Sequence, residues 1–325
     1  MKLLNFDSML IKIIITVILA SFIPLKDGFI DLFKYLTITA ISLLFFMHGA
    51  KLSRKKIIIG SSNWQLHLWI IFSTFIIFPL LGLSIVYLHL ITLNQEIDNG
   101  FLYLCSMPAT VQSAIALTSI AGGNVAASIC SASASSLLGI FISPLIVNLI
   151  LGIHSDTLHI DNEIRQVIKI ILQLLLPFIA GHISRRWINT WIDSNQNLIT
   201  QVDQISILLV VYSAFSEAVS NGIWNKVSIY TLLWVLISCL ILLFFVLIIN
   251  YFVARLLKFD RKDEIVLLFC GSKKSLASGI PMANILFPIS SIGIIILPLM
   301  IFHQVQLMVC SYIAQCYKSF NEKNK

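Results

Sequence analysis

Charged residues are scarce in this sequence. Only 11% of its 325 residues are Asp, Glu, Lys or Arg, whereas soluble domains carry about a quarter. Hydrophobic residues make up 58% of the chain. This balance excludes an ordinary soluble domain and indicates a polytopic membrane protein that is embedded in the lipid bilayer.

Motifs that mark disulfides, metals or catalysis are also lacking. The six cysteines show no CxxC or Cys/His spacing and mostly fall inside apolar segments, which favours a packing role. We see no nucleophile with an adjacent base, no metal-ligand cluster and no nucleotide-binding loop. The sequence therefore predicts neither an enzyme nor a primary pump, and no cofactor beyond Na⁺ or H⁺ as a coupling ion.

Ten apolar segments are long enough to predict transmembrane helices. They cover residues 9–25, 33–50, 64–89, 101–121, 124–151, 166–184, 204–221, 227–254, 264–287 and 289–317. The links between them are short. The first segment is interpreted as a retained helix rather than a signal peptide, because it has no small-x-small cleavage site.

The positive charges predict the orientation of these helices. With both termini on the cytoplasmic side of the inner membrane, fifteen of the 22 Lys and Arg residues lie on that side and five on the other. Cytoplasmic loops are enriched in Lys and Arg, so this arrangement is favoured. The net charge of +7 is thereby a topology signal, and nucleic-acid binding is not expected.

Two adjacent lysines, Lys273 and Lys274, lie in the middle of the ninth segment. The nearest flanking charges, Asp263 and Glu264, are nine to ten residues upstream, which places the pair near the midplane of a ~30 Å hydrocarbon core if the segment is helical. A lysine there costs roughly 2.5–3.5 kcal/mol on insertion scales. The pair therefore predicts a functional site that faces water, an anion or a partner group.

The fourth and ninth segments resemble each other at an offset of 165 residues. Residues 101–105 and 266–270 are both apolar runs that end in cysteine, and Ser113 corresponds to Ser278. We predict two five-helix repeats, 1–155 and 156–325, and an odd helix number makes the second repeat inverted. Pro108, Pro281 and nearby glycines are expected to interrupt both segments, a pattern typical of a secondary transporter and its binding site.

Small polar residues around these interruptions are candidate ligands for a substrate or cation, although serines also allow close helix packing. The candidates with oxygen or nitrogen side chains are Thr110, Gln112, Ser113, Asn124, Ser128, Ser272, Ser275, Ser278, Asn284, His303 and Gln304. Together with the two lysines they make up the predicted binding site. No metal site is predicted among them.

The motif over 271–283, GSKKSLASGIPMA, resembles the YfeH-like branch of the bile acid:sodium symporter superfamily, which includes sodium/bile acid cotransporter 7-like proteins. Segments 116–124 and 138–144 resemble its fourth and fifth helices. The resemblance implies a core domain (about 62–152 and 225–318) and a panel domain (about 8–56 and 164–222). It also implies that the fourth and ninth helices unwind and cross, and that a small organic anion binds near the crossing during alternating access.

The sequence departs from the sodium-coupled members of that family. Alignment on Ser278 puts Ser272 where those members have a sodium-binding glutamate, with the lysines directly after it. Hard cations need oxygen ligands, preferably a carboxylate, so sodium is not expected to bind in the usual way. Three roles for the lysines remain open: a fixed cation that exchanges protons, a receptor for an organic anion, or a donor to exposed carbonyls at the break.

The resemblance thus predicts a secondary transporter of a bile-acid-like or other amphipathic anion, coupled to sodium, to protons or to neither. Two alternatives remain. A cation/proton antiporter of related architecture would normally carry aspartates at the crossing, and neither interrupted segment contains one. A membrane regulator of ion (calcium) homeostasis is a role suggested for relatives in this branch.

Overall fold

The computed structural model describes residues 8–25, 27–51, 63–88, 95–152, 160–220, 222 and 227–323. Helices account for the regular structure of these residues. They are α1 (Ser8–Phe22), α2 (Asp27–Lys51), α3 (Trp64–Phe72), a π segment (Ser73–Ile77), α4 (Phe78–Tyr87), α5 (Gln95–Ser106), α6 (Gln112–Ile120), α7 (Val125–Leu151), α8 (Ile160–Ser194), α9 (Gln196–Ser220), α10 (Ile229–Leu256), α11 (Arg261–Gly271), α12 (Leu276–Leu286) and α13 (Ile289–Lys323).

Five helical stretches in the described residues are long and apolar enough to cross a bilayer: Trp64–Tyr87, Val125–Leu151, Gln196–Ser220, Ile229–Leu256 and Ile289–Asn321. Ile11–Phe22 and Tyr35–Lys51 are shorter apolar helices. The predicted all-α membrane protein is therefore confirmed at this level. The fourth and ninth predicted segments are each divided into two pieces of 9 to 12 residues, too short to span ~30 Å individually.

The two interruptions lie at 107–111 and at 272–275. Pro108 lies within the first, where its missing N–H removes a helical hydrogen bond. Pro281 was also expected to interrupt its segment, but it lies inside α12. The second interruption instead begins after Gly271, the last residue of α11.

The chain divides into two compact units. The first comprises Met1–Ser53, His154–Ser228 and Ile280–Ile296, and the second comprises Arg54–Ile153, Ile229–Gly279 and Leu297–Lys325. In the first unit, α2 packs on α8 and α9, and α1 packs on α9. Gly49 and Gly181 let α2 and α8 approach backbone to backbone, since a Cβ at either would lie 1.9 Å from the carbonyl oxygen of Phe178 or Phe46, respectively.

The second unit is held together by small and branched side chains from α3, α6, α7, α10 and α11. One buried cluster contains Leu66, Ile70, Ala114, Ala127, Ala132, Ala254, Val266, Leu267 and Cys270. Its helices begin at well-formed caps: the side chains of Asn63, Asn124 and Asp260 each accept a hydrogen bond from the first turn that follows. This unit contains both interruptions and both lysines.

Candidate functional site

The two interruptions meet inside the second unit. The backbone N–H of Ser275 donates to the carbonyl of Pro108 at 2.8 Å, which joins one interruption to the other. The hydroxyl of Tyr103 also donates to the carbonyl of Gly279 at 2.5 Å. Backbone groups freed from helical bonding cannot face lipid, so this mutual pairing stabilises the two breaks.

Each interruption is bonded internally in a corresponding way. The hydroxyls of Thr110 and Ser113 lie 2.9 Å apart, and those of Ser275 and Ser278 lie 3.1 Å apart. Adding 165 to the first pair gives the second. Ser275 Oγ also accepts from the N–H of Ser278 at 3.1 Å, which caps the beginning of α12.

Lys274 is fully buried and its ammonium is fully paired. Nζ donates to the carbonyl oxygens of Thr74, Cys105 and Met107, each at 2.7 Å, and lies 4.1 Å from the centre of the Phe78 ring. An ammonium has three protons, so three carbonyls satisfy it completely. Of the open roles, the structure supports that of a donor to exposed carbonyls for Lys274.

The backbone of Lys274 is clamped by the last helix. Its N–H donates to Gln306 Oε1 at 2.8 Å, and its carbonyl accepts from Gln306 Nε2 at 2.9 Å. Gln306 Nε2 also lies 2.9 Å from His303 Nδ1, which is 3.4 Å from the same carbonyl. Gln306 is a polar residue of the tenth predicted segment that, like His303 and Gln304, could be expected to face the core, although it was not among the residues predicted to bind a ligand.

Lys273 has a different environment. It is as deeply buried as its neighbour, but its Nζ has no hydrogen-bond partner among the described residues. The Oε1 atom of Gln304, another predicted site residue, is also buried with no partner in the described part of the chain.

The other predicted residues lie at varied positions. Ser272 is buried and its hydroxyl donates to the carbonyl of Leu268. Ser128 Oγ lies 3.3 Å from Thr118 Oγ1 and 3.2 Å from Cys270 Sγ, beside the second interruption.

Three predicted residues make local or peripheral contacts. Gln112 is exposed at the beginning of α6. Asn284 donates to the carbonyl of Ile280 within its own helix at 3.2 Å. Asn124 caps α7 and donates to Asp263 at 3.0 Å, and both residues belong to the first turns of their helices rather than to the interruptions.

The acceptors of the Lys274 ammonium are the part of the site that sequence reasoning missed. All three are backbone carbonyls, and carbonyls carry no residue signature. Phe78 is one aromatic residue among the 21 phenylalanines of the chain. The π segment that presents Thr74 had no predictive pattern either.

The chain is similar to known proteins over nearly its whole length. The family model for the SBF-like CPA transporter family matches residues 7–319. The chain is 56% identical over 317 residues to "Putative symporter YfeH" of Escherichia coli strain K12, covering 98% of this chain and 94% of that protein. It is 50% identical over 311 residues to "Uncharacterized protein PA2026" of Pseudomonas aeruginosa, covering 96% and 92%. It is 30% identical over 286 residues to "Sodium/bile acid cotransporter 7" of Rattus norvegicus, covering 86% and 82%.

Proposed function

Because the chain belongs to the SBF-like CPA transporter family, as its lysine motif predicted, we propose that it is a secondary active transporter of a small organic anion. The observation that carries this proposal is Lys273. Its ammonium is fully buried beside a helix interruption and has no partner in the described residues. A cation held in that way attracts an anion.

The two lysines differ in how the cost of burying their ammonium groups is offset. Transfer of an unpaired ammonium into an apolar interior is costly, and the cost falls when a counter-charge and hydrogen bonds are supplied. The three carbonyls supply this compensation for Lys274. For Lys273 a substrate carboxylate or sulfonate would supply it, and the positive end of α12, which begins at Leu276, adds to the attraction.

The chemistry favours an amphipathic anion. A buried apolar cluster packs around α11, which ends at Gly271, two residues before Lys273; it contains Leu117, Ala121, Ile265, Phe269, Cys310 and Ala314. A relative is named a sodium/bile acid cotransporter. We therefore propose a bile-acid-like or other amphipathic carboxylate or sulfonate as the substrate, with Ser275, Ser278 and Gln304 as further candidates for polar contacts.

We propose that transport follows alternating access between a core domain (62–152 and 225–318) and a panel domain (8–56 and 164–222), each built from both inverted repeats. The matched interruptions and the matched Thr110–Ser113 and Ser275–Ser278 pairs support the repeat. The Lys and Arg distribution supports both termini at the cytoplasmic face of the inner membrane.

The test is anion uptake into proteoliposomes under separate sodium and proton gradients. We would compare wild type with Lys273→Ala, Lys273→Arg and the exposed control Lys262→Ala. Truncating one partner of a buried charge pair costs about 2–5 kcal/mol, so Lys273→Ala should lower uptake by roughly 30-fold or more. Lys273→Arg should retain part of it, because the charge remains.

Two results would contradict the proposal. The first is wild-type uptake by Lys273→Ala at equal protein incorporation. The second is the absence of uptake of any carboxylate or sulfonate by wild type under either gradient. A rate that depends on the sodium gradient alone would identify sodium symport, and one that depends on the proton gradient alone would identify proton coupling.

A further inference from the structure

The ammonium of Lys274 lies in a cage that is built almost entirely from main-chain atoms. The carbonyl oxygens of Thr74, Cys105 and Met107 surround it at 2.7 Å, and the face of Phe78 closes the cage at 4.1 Å. Carbonyl oxygens and an aromatic face are the groups that bind a cation without contributing any charge of their own. No carboxylate contacts the ammonium among the described residues.

The carbonyls are available because of the fold. Cys105 belongs to the last turn of α5 and Met107 follows it, and the last carbonyls of a helix have no intrahelical donor. Thr74 lies in the π segment, where the hydrogen bonding shifts from i+4 to i+5 and the N–H of Phe78 bonds to Ser73 instead. The end of α5 and the π segment thus each leave carbonyl oxygens without a helical donor, and these oxygens all face the same ammonium.

We propose that this cage is a monovalent-cation site that the chain fills with its own side chain. Lys274 is then a tethered cation, and the crossing assembles without binding a free ion there. The cage itself does not depend on the proposed function. Only one consequence rests on that function: if the chain is a transporter, transport would not require a free cation bound in the cage.

If the cage is a cation site, it should bind a free cation once the Lys274 side chain is removed. A lysine that only donates hydrogen bonds would not leave such a site. Lys274→Ala removes three methylenes and the ammonium, which together correspond to n-propylammonium. The carbonyls and the ring remain in place, because none of them comes from residue 274. The emptied cage should therefore accept small primary ammonium ions from solution, with ammonium, K⁺ and Na⁺ as further probes of its selectivity.

The experiment measures thermal unfolding of the purified protein in detergent. Wild type, Lys274→Ala and the matched control Lys273→Ala are each titrated with n-propylammonium chloride at constant ionic strength. Tetramethylammonium chloride is the second control, because it carries the charge but cannot donate to carbonyls. We expect Lys274→Ala to unfold at a lower temperature than wild type and to regain about 3 °C or more, saturably, with n-propylammonium but not with tetramethylammonium.

Lys273→Ala is the variant for which no stabilisation by cations is expected. Lys273 is equally buried but makes none of these contacts, so Lys273→Ala should show no cation-specific rise. The proposal is overturned if none of the small cations stabilises Lys274→Ala beyond tetramethylammonium, or if both variants respond alike. The unfolding temperature needs no transported substrate, so this test can fail while the anion-transport proposal stands, and the reverse.

A second pair of variants keeps the proposal testable if Lys274→Ala does not accumulate in membranes. Lys274→Met and Lys273→Met keep an apolar chain as far as the ε position, with sulfur in place of one methylene, and remove the ammonium. Lys274→Met leaves three buried carbonyls without a donor, whereas Lys273→Met removes an unpaired charge. Lys274→Met must therefore lower the unfolding temperature and Lys273→Met must not. Equal effects would refute the cage.

Discussion

Asp263 connects the beginnings of three helices, and its replacement is expected to destabilise the second unit as a whole. Its two carboxylate oxygens accept hydrogen bonds from Asn63 Nδ2 at 2.9 Å and Asn124 Nδ2 at 3.0 Å. The same two asparagines cap α3 and α7 by accepting from the N–H groups of Leu66 and Ala127. The carboxylate therefore lies close to the positive ends of α3, α7 and its own helix, α11.

The magnitude follows from these contacts. A hydrogen bond to a charged group contributes about 1.5–3 kcal/mol, and the half-buried position of Asp263 puts both bonds at the low end. Two such bonds give roughly 3 kcal/mol, and loosened caps add up to about 1 kcal/mol. We expect Asp263→Ala to cost roughly 3–4 kcal/mol. Asp263→Asn should cost about half of that, because its amide oxygen still accepts one of the two bonds.

The assay is reversible unfolding in mixed detergent with increasing dodecyl sulfate. Lys262→Ala, an exposed neighbour in the same turn, is the control and should leave the free energy of unfolding nearly unchanged. Combining Asp263→Ala with Asn124→Ala should cost less than the sum of the single variants, by about 1 kcal/mol or more, because both remove the same bond. A loss of less than about 0.5 kcal/mol for Asp263→Ala, or strict additivity with Asn124→Ala, would refute the reasoning.

Two further predictions concern the first unit and use the same unfolding assay. Gly181→Ala places a methyl group 1.9 Å from the carbonyl oxygen of Phe46 and should cost at least about 1–3 kcal/mol, whereas Ala180→Ser adds one atom at an exposed position and should be neutral. Lys51 and Asp203 form an ion pair with side chains 21% and 7% exposed, so Asp203→Leu should cost about 3 kcal/mol. Adding Lys51→Met should recover most of that loss, and a double variant no more stable than Asp203→Leu alone would contradict this.

The sequence was sufficient to predict that the fourth and ninth segments are interrupted, and Pro108 lies in the first interruption, but Pro281 lies inside α12 rather than in the second. Pro108 and Gly271 affect the backbone locally, so their effect can be read from the sequence. The offset of 165 residues relates two short segments and can be recognised without knowing the fold. The same offset relates the hydroxyl pairs at 110 and 113 and at 275 and 278. Features that depend on local backbone chemistry can therefore be predicted from the amino-acid sequence alone, whereas the inverted repeat stays a prediction that these matched pairs support.

The different environments of Lys273 and Lys274 were not predictable. They are set by Thr74 and Phe78, about 200 residues earlier, and by a π segment with no sequence signature. Asn124 was predicted to bind a ligand for a related reason. In the sequence, a polar residue next to an interrupted helix looks the same whether it caps a helix or binds a ligand. The structure places it at the cap of α7, bonded to Asp263.

The two halves of the crossing have taken complementary roles. The last turn of α5 and the first interruption supply acceptors, namely the carbonyls of Cys105, Met107 and Pro108, and the second interruption supplies donors from Lys274 and Ser275. Pro108 and Ala109 correspond in sequence to Lys273 and Lys274 at the offset of 165 residues, and neither has a side chain that can donate a hydrogen bond. A symmetric crossing with lysines in both halves would bring four cations together, and one with none would leave the carbonyls unpaired. With lysines in one half only, the two breaks can bind each other, and the ammonium of Lys273 has no hydrogen-bond partner among the described residues.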